Sequence, residues 1–241
     1  IKILKILLFL QIKYQLHDTM ETTDYRAELE AVRQKAKDIT KPRNDESFDI
    51  LLEGMRCCIF IAKENHDKKE REWENAALVR EFLFYAEPLE GFDHLLNHLY
   101  SAVSDMEKFV LNHPRLRVRF LRFFLLVVHR IEAKCDHEMS TSEYLLSEIS
   151  DLERNIYYAD NNKLEYISTS EHLKSDPVEW TQQWEEIIDE VDKKTYENLA
   201  GIPHGRGFCH TLWDEKTRIL REEYGIEWHS PAVMNPDVKF D

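Results

Sequence analysis

Glycine and proline are scarce in this chain, six and seven among 241 residues. Together they come to about half of average usage. That shortage excludes collagen-like and linker-like chains and turn-rich all-β folds, and it favours long helices. Cysteine is scarce as well; four in this length make no disulfide framework and fit a reducing, cytoplasmic compartment. No apolar run approaches the roughly 20 residues of a membrane-spanning helix. Positive charge is the minority sign, 32 Lys and Arg against 46 Asp and Glu, for a net charge of −14. That balance disfavours an ordinary basic nucleic-acid module. What is present, 43% hydrophobic and 32% charged residues, suffices for a packed core and excludes compositional disorder.

Residues 1–19 stand apart. The short run Ile6–Leu10 lies between Lys5 and Lys13, and neither a spanning helix nor a signal-peptide cleavage site follows. The expectation is that Met20 is the natural start and that this leader is no part of the fold. The competing reading is a basic amphipathic membrane anchor.

From Met20 onward the apolar spacing is helical. A solvated helix is expected over Glu28–Lys37, ending before Pro42. A buried helix follows with Phe48, Leu51, Leu52, Met55, Cys58, Ile59 and Ala62 on one face. Leu78, Phe82 and Tyr85 resume the spacing after the charged run 66–75, which surrounds a lone Trp73. Phe92, Leu95, Leu96, Leu99, Val103, Met106 and Val110 give the cleanest amphipathic stripe. Pro114 suits a first helical turn, and Ser140 with Glu143 has capping-box spacing. Asp176, Pro177 and Glu179 predict a helix start with Trp180 and Trp184 on one stripe, stopping at Gly201. A last helix is expected over His210–Tyr224, then an extended tail docking by Ile226, Trp228 and Phe240. The chain thus reads as an all-α bundle over 20–161, with a C-terminal helical unit and Pro-containing tail over 162–241.

Charge is unevenly distributed along it. Residues 136–200 carry −12, whereas residues 114–135 carry +5. In that basic helix Arg115, Arg119 and Arg122 share a face beside a buried one of Leu116, Phe120, Phe123 and Val127. Pairing of these arginines with carboxylates of neighbouring helices is expected, since guanidinium suits partly buried pairs. The alternative is a phosphate or nucleic-acid patch of Arg115, Arg117, Arg119 and Arg122.

Candidate metal ligands are His94 and His98, four apart, and the loop His204, Cys209 and His210, with Cys135 and His137 as further donors. Neither set has the spacing of a zinc motif: Leu95 stands where the zinc-protease helix needs Glu. Gly205 and Gly207 resemble no phosphate loop, since the Gly-Lys-Ser/Thr signature is missing. No cofactor is implied. Arg122 and His129, separated by six residues, resemble in spacing the catalytic pair of HEPN-type helical ribonucleases, although Phe123 stands where that family usually has a polar residue. The resemblance implies Arg122 on the scissile phosphate and His129 as general acid or base. The leading expectation is a non-catalytic protein-interaction module acting on an unidentified protein partner, with the acidic helices of 136–200 or the aromatic tail as the contact surface and Trp213 and Trp228 as contact residues. The second is a nucleic-acid binder or ribonuclease working through the basic helix.

Overall fold

A computed structural model of the chain describes residues 23–110, 112–168, 173–203 and 205–240. The leader 1–19 and His204 lie outside the described residues. Among these residues there are α-helices and 3-10 turns, and no strand.

The N-terminal helices are α1 (Tyr25–Ala36), α2 (Asp45–Lys68), α3 (Asn75–Ala86), α4 (Leu96–Met106), α5 (Pro114–Cys135) and α6 (Ser140–Asp160). Local chemistry sets most of their ends. The Asp24 carboxylate accepts from the amides of Arg26 and Ala27 at the start of α1. Asn44 and Ser47 cap α2 reciprocally. α2 ends where Lys69 turns left-handed, φ 53°, and Arg71 does the same before a 3-10 turn at Glu72–Glu74. The stripe expected from Phe92 packs in the first core along its length, although Asp93–Leu95 is a 3-10 turn and α4 begins at Leu96.

α2 packs against α1, α3 and α4, and α5 against α3, α4 and α6. Leu51, Phe82, Leu99, Phe120 and Leu145 sit at the centre of the resulting core, each fully buried. The closest approach is at Gly54, where a Cβ would lie 2.6 Å from the Tyr85 ring.

One expected cap and one expected helix start are corrected. Ser140 is already helical, and Met139 at the cap position has no side-chain cap. The Glu132 carboxylate of α5 does the work instead, accepting from the Met139 amide and the Ser142 hydroxyl, both at 2.7 Å. Asp176 and Pro177 open only a 3-10 turn, Pro177–Trp180. Thr181, whose Oγ1 accepts from the Trp184 amide, starts α7 (Gln182–Asn198). Trp180 therefore packs on the first core and Trp184 lies in a second.

That second core joins α7 to α8 (Phe208–Tyr224) through Trp184, Ile188, Val191, Ile219 and Leu220. Gly207 and Gly225, at φ 82° and 68°, bound α8 in backbone conformations that side chains disfavour. Ile226 and Trp228 enter this core, and Phe240 meets Trp213 edge-on at 5.2 Å, as expected of the tail. The tail is not wholly extended, however: Pro231 opens a one-turn helix, α9 (Pro231–Met234).

Candidate functional site: a cleft between the two cores

α7 reaches the N-terminal helices through carboxylates. The start of α5 has exposed backbone donors and no side-chain cap of its own. Glu185 supplies one across the junction, its two oxygens accepting from the amides of Arg115 and Leu116, each at 2.9 Å. One turn on, Asp189 accepts from Nε2 of the buried His113 at 2.9 Å and lies 3.7 Å from Arg80. Nδ1 of His113 has no partner. Trp73, from the 3-10 turn after α2, meets Tyr196 of α7 with ring centroids 5.4 Å apart.

Between these contacts lies a cleft of about 410 Å³. Trp73, Phe109, Trp184, Tyr196, Trp213 and Trp228 give it aromatic walls. Glu72, Glu179, Asp189 and Asp192 bring four carboxylates, against the ammonium groups of Lys108 and Lys216. Lys216 shows how the walls treat a cation. Its Nζ lies 5.3 Å from the ring centroids of both Trp184 and Trp228, and 2.7 Å from Asp192. The Trp228 indole N–H donates to Glu179 at 2.7 Å. Burial pushes the Glu179 carboxyl above its ordinary range, against the opposing pull of that hydrogen bond and of Lys216.

Of the two expected contact residues, Trp213 is half-buried and lines the cleft beside His210 and Phe240. Trp228 also lines it, but at 6% exposure it belongs mainly to the second core. Sequence reasoning missed Lys216, Asp192, Glu179 and Tyr196. The available signal was Trp73, an indole with no apolar periodicity around it.

Every guanidinium of α5 is engaged by a carboxylate. Arg115 pairs with Asp160 and donates to the Trp180 carbonyl. Arg117 pairs with Glu148 at 2.8 Å, Arg119 with Glu87 at 2.8 Å, Arg122 with Glu153 at 2.6 Å and Arg130 with Asp93 at 2.5 Å. Arg117 is 9% exposed, and its Nε has no partner. Arg122 and His129 lie two turns apart on an exposed face of α5.

The metal candidates are scattered. His94 is exposed in its 3-10 turn while His98 is half-buried on α4, with its imidazole pushed down by burial and then by His94. His210 contacts the Phe240 carbonyl at 3.2 Å. Among the described residues, the grouping with three ligand atoms in reach of one ion is a different one, Glu28, Glu53 and Cys57. Arg56 already serves it, pairing with Glu28 at 2.8 Å and with Glu53. Burial and Glu53 push the Cys57 thiol up to about 12, so it stays protonated. This cluster is an ion-paired seam between α1 and α2.

No family model matches the chain, and neither a curated protein nor a solved structure matches it.

Proposed function

We propose that the protein is a non-catalytic interaction module of a reducing, cytoplasmic compartment, and that the cleft between its two cores is the contact surface. One observation carries the reading: six aromatic side chains from five segments line a single cleft at the junction. Indoles and phenols give large contact areas at small entropic cost, and they dominate binding energy where partners meet. The engaged guanidiniums of α5 fit a structural role for that helix. The four cysteines are unpaired, with Cys57 and Cys58 buried.

The test is affinity capture from the native host with the full chain and two variants. Trp213→Leu, confirmed as folded by circular dichroism, is expected to lose the captured partner. Arg122→Gln is expected to retain it. Capture indifferent to Trp213→Leu contradicts the proposal.

A second reading rests on Arg119, Arg122 and His129, exposed on one face of α5. Exposed ion pairs such as Arg122–Glu153 contribute about 1 kcal/mol or less, so a phosphate could displace Glu153. RNA cleavage by the purified chain that is lost in His129→Ala supports this reading; cleavage that survives the substitution removes it.

A further inference from the structure

We infer that the cleft accepts a lysine side chain presented by a basic segment of the partner protein, an inference that rests on the cleft being the contact surface.

Charge sets the class of ligand. Four carboxylates against the ammonium groups of Lys108 and Lys216 and the Arg80 guanidinium beside Asp189 leave the cleft negative, within a chain of net charge −14. A phosphate or carboxylate ligand would meet repulsion from Glu72, Glu179, Asp189 and Asp192. A purely apolar ligand would strip water from those carboxylates and return no charge. A cation gains from both the acids and the ring faces.

The choice of ammonium over guanidinium follows from the way the acids are already used. Glu72 faces His66 at 3.0 Å, Glu179 receives the Trp228 indole, Asp189 receives His113 and Asp192 holds Lys216. Each of these hydrogen bonds uses one of the carboxylate's two oxygens, and on Asp189 the second oxygen lies 3.7 Å from Arg80. A guanidinium fork is best met by both oxygens of one carboxylate, whereas an ammonium is a point charge whose three donors can go to separate groups. Lys216 displays that mode within the chain itself, with two indoles and one carboxylate around a single ammonium. The cleft, at about 410 Å³, exceeds the lower bound of roughly 300 Å³ for ligand pockets. It has room for a long side chain and part of its flanking backbone. A protein source is favoured over a small free amine because the aromatic walls extend from Trp73 to Trp213, beyond the indole pair that surrounds Lys216.

The chain holds five tryptophans, and their indole N–H signals can be followed by NMR in the ¹⁵N-labelled chain. Trp180, packed on the first core, serves as internal reference. Titration with tri-lysine is expected to shift Trp73 and Trp213 saturably and to leave Trp180 in place. Affinity is expected to fall about threefold in Glu72→Gln, because each charge at such a rim contributes modestly. It is expected to be unchanged in Glu153→Gln, an equal charge change on α6 that controls for general attraction to an acidic surface. Equal weakening by both substitutions, or equal shifts with tri-alanine, overturns the inference. So does a response to tetramethylammonium without one to tri-lysine, which would mark a small-amine site. If tri-lysine leaves the indoles unmoved while host capture is still lost in Trp213→Leu, the contact surface stands and the lysine assignment fails.

Discussion

Two glutamates show how position alone reverses the effect of pH. Glu132 accepts from the Met139 amide and the Ser142 hydroxyl, and these bonds hold its carboxyl below the ordinary range. Its contribution is present above the unfolded value and lost as acid passes through the lowered folded one. Glu132→Gln is therefore expected to destabilise the protein at neutral pH, with the difference vanishing in acid. Glu179 runs the opposite way. Burial raises its carboxyl, so its stabilisation is complete below the unfolded value and is lost as pH rises through the folded one. Glu179→Gln keeps an acceptor for Trp228 and is expected to gain on the parent as pH climbs from the ordinary glutamate range to neutrality. Urea unfolding across that range checks both; pH-independent differences contradict the assignments. Glu185 is a third case, a cap supplied from another helix. Glu185→Ala is expected to cost about 1–2 kcal/mol, in the manner of a lost N-cap.

At the scale of the element, caps separate what could be read in the sequence from what could not. Ser140→Ala is expected to change stability by less than about 0.5 kcal/mol, since Ser140 caps nothing. Ser142→Ala removes the hydroxyl bonded to Glu132 and is expected to cost about 1 kcal/mol. Thr181→Ala should cost about 1 kcal/mol as an N-cap loss. Gly54→Ala forces a methyl onto the Tyr85 ring and is expected to cost about 1–3 kcal/mol. Denaturant midpoints rank all four. The all-α class, the start of α5 at Pro114 and the buried face of Leu116, Phe120, Phe123 and Val127 were legible because periodicity and proline chemistry are local. The cap of α6 was not, because it lies eight residues upstream on α5. The start of α7 was misread because two capping signals, Asp176 and Thr181, stand five residues apart, and the first yields only a 3-10 turn. The arginine pairs were expected in kind, but their partners Glu87, Glu148, Glu153 and Asp160 come from α6 and from the turn after α3.

For the whole molecule, the uneven charge has a structural use. The acidic stretch 136–200 meets three of the α5 guanidiniums, Arg115, Arg117 and Arg122, through α6, and Glu185 of α7 also faces Arg115. Part of what remains, Glu179 and Asp192, faces the cleft. The cleft itself left little trace in the sequence. Its walls come from residues 66–76, 108–109, 112–113, 179–196 and 212–231, and no spacing rule links segments that only tertiary packing brings together. Trp73 was visible as an indole among charges. Its neighbour Tyr196 and the cation Lys216 were not, because each also reads as part of an ordinary amphipathic helix.

The claim that the cleft is the contact surface is tested most directly by site-specific photocrosslinking in the native host. The photoreactive side chain would replace Trp73 at the cleft wall or Leu146, an exposed residue of α6 away from it. A discrete adduct from position 73, with none from position 146, is the result the account predicts. Adducts from position 146 alone, or no difference between the two, would contradict it.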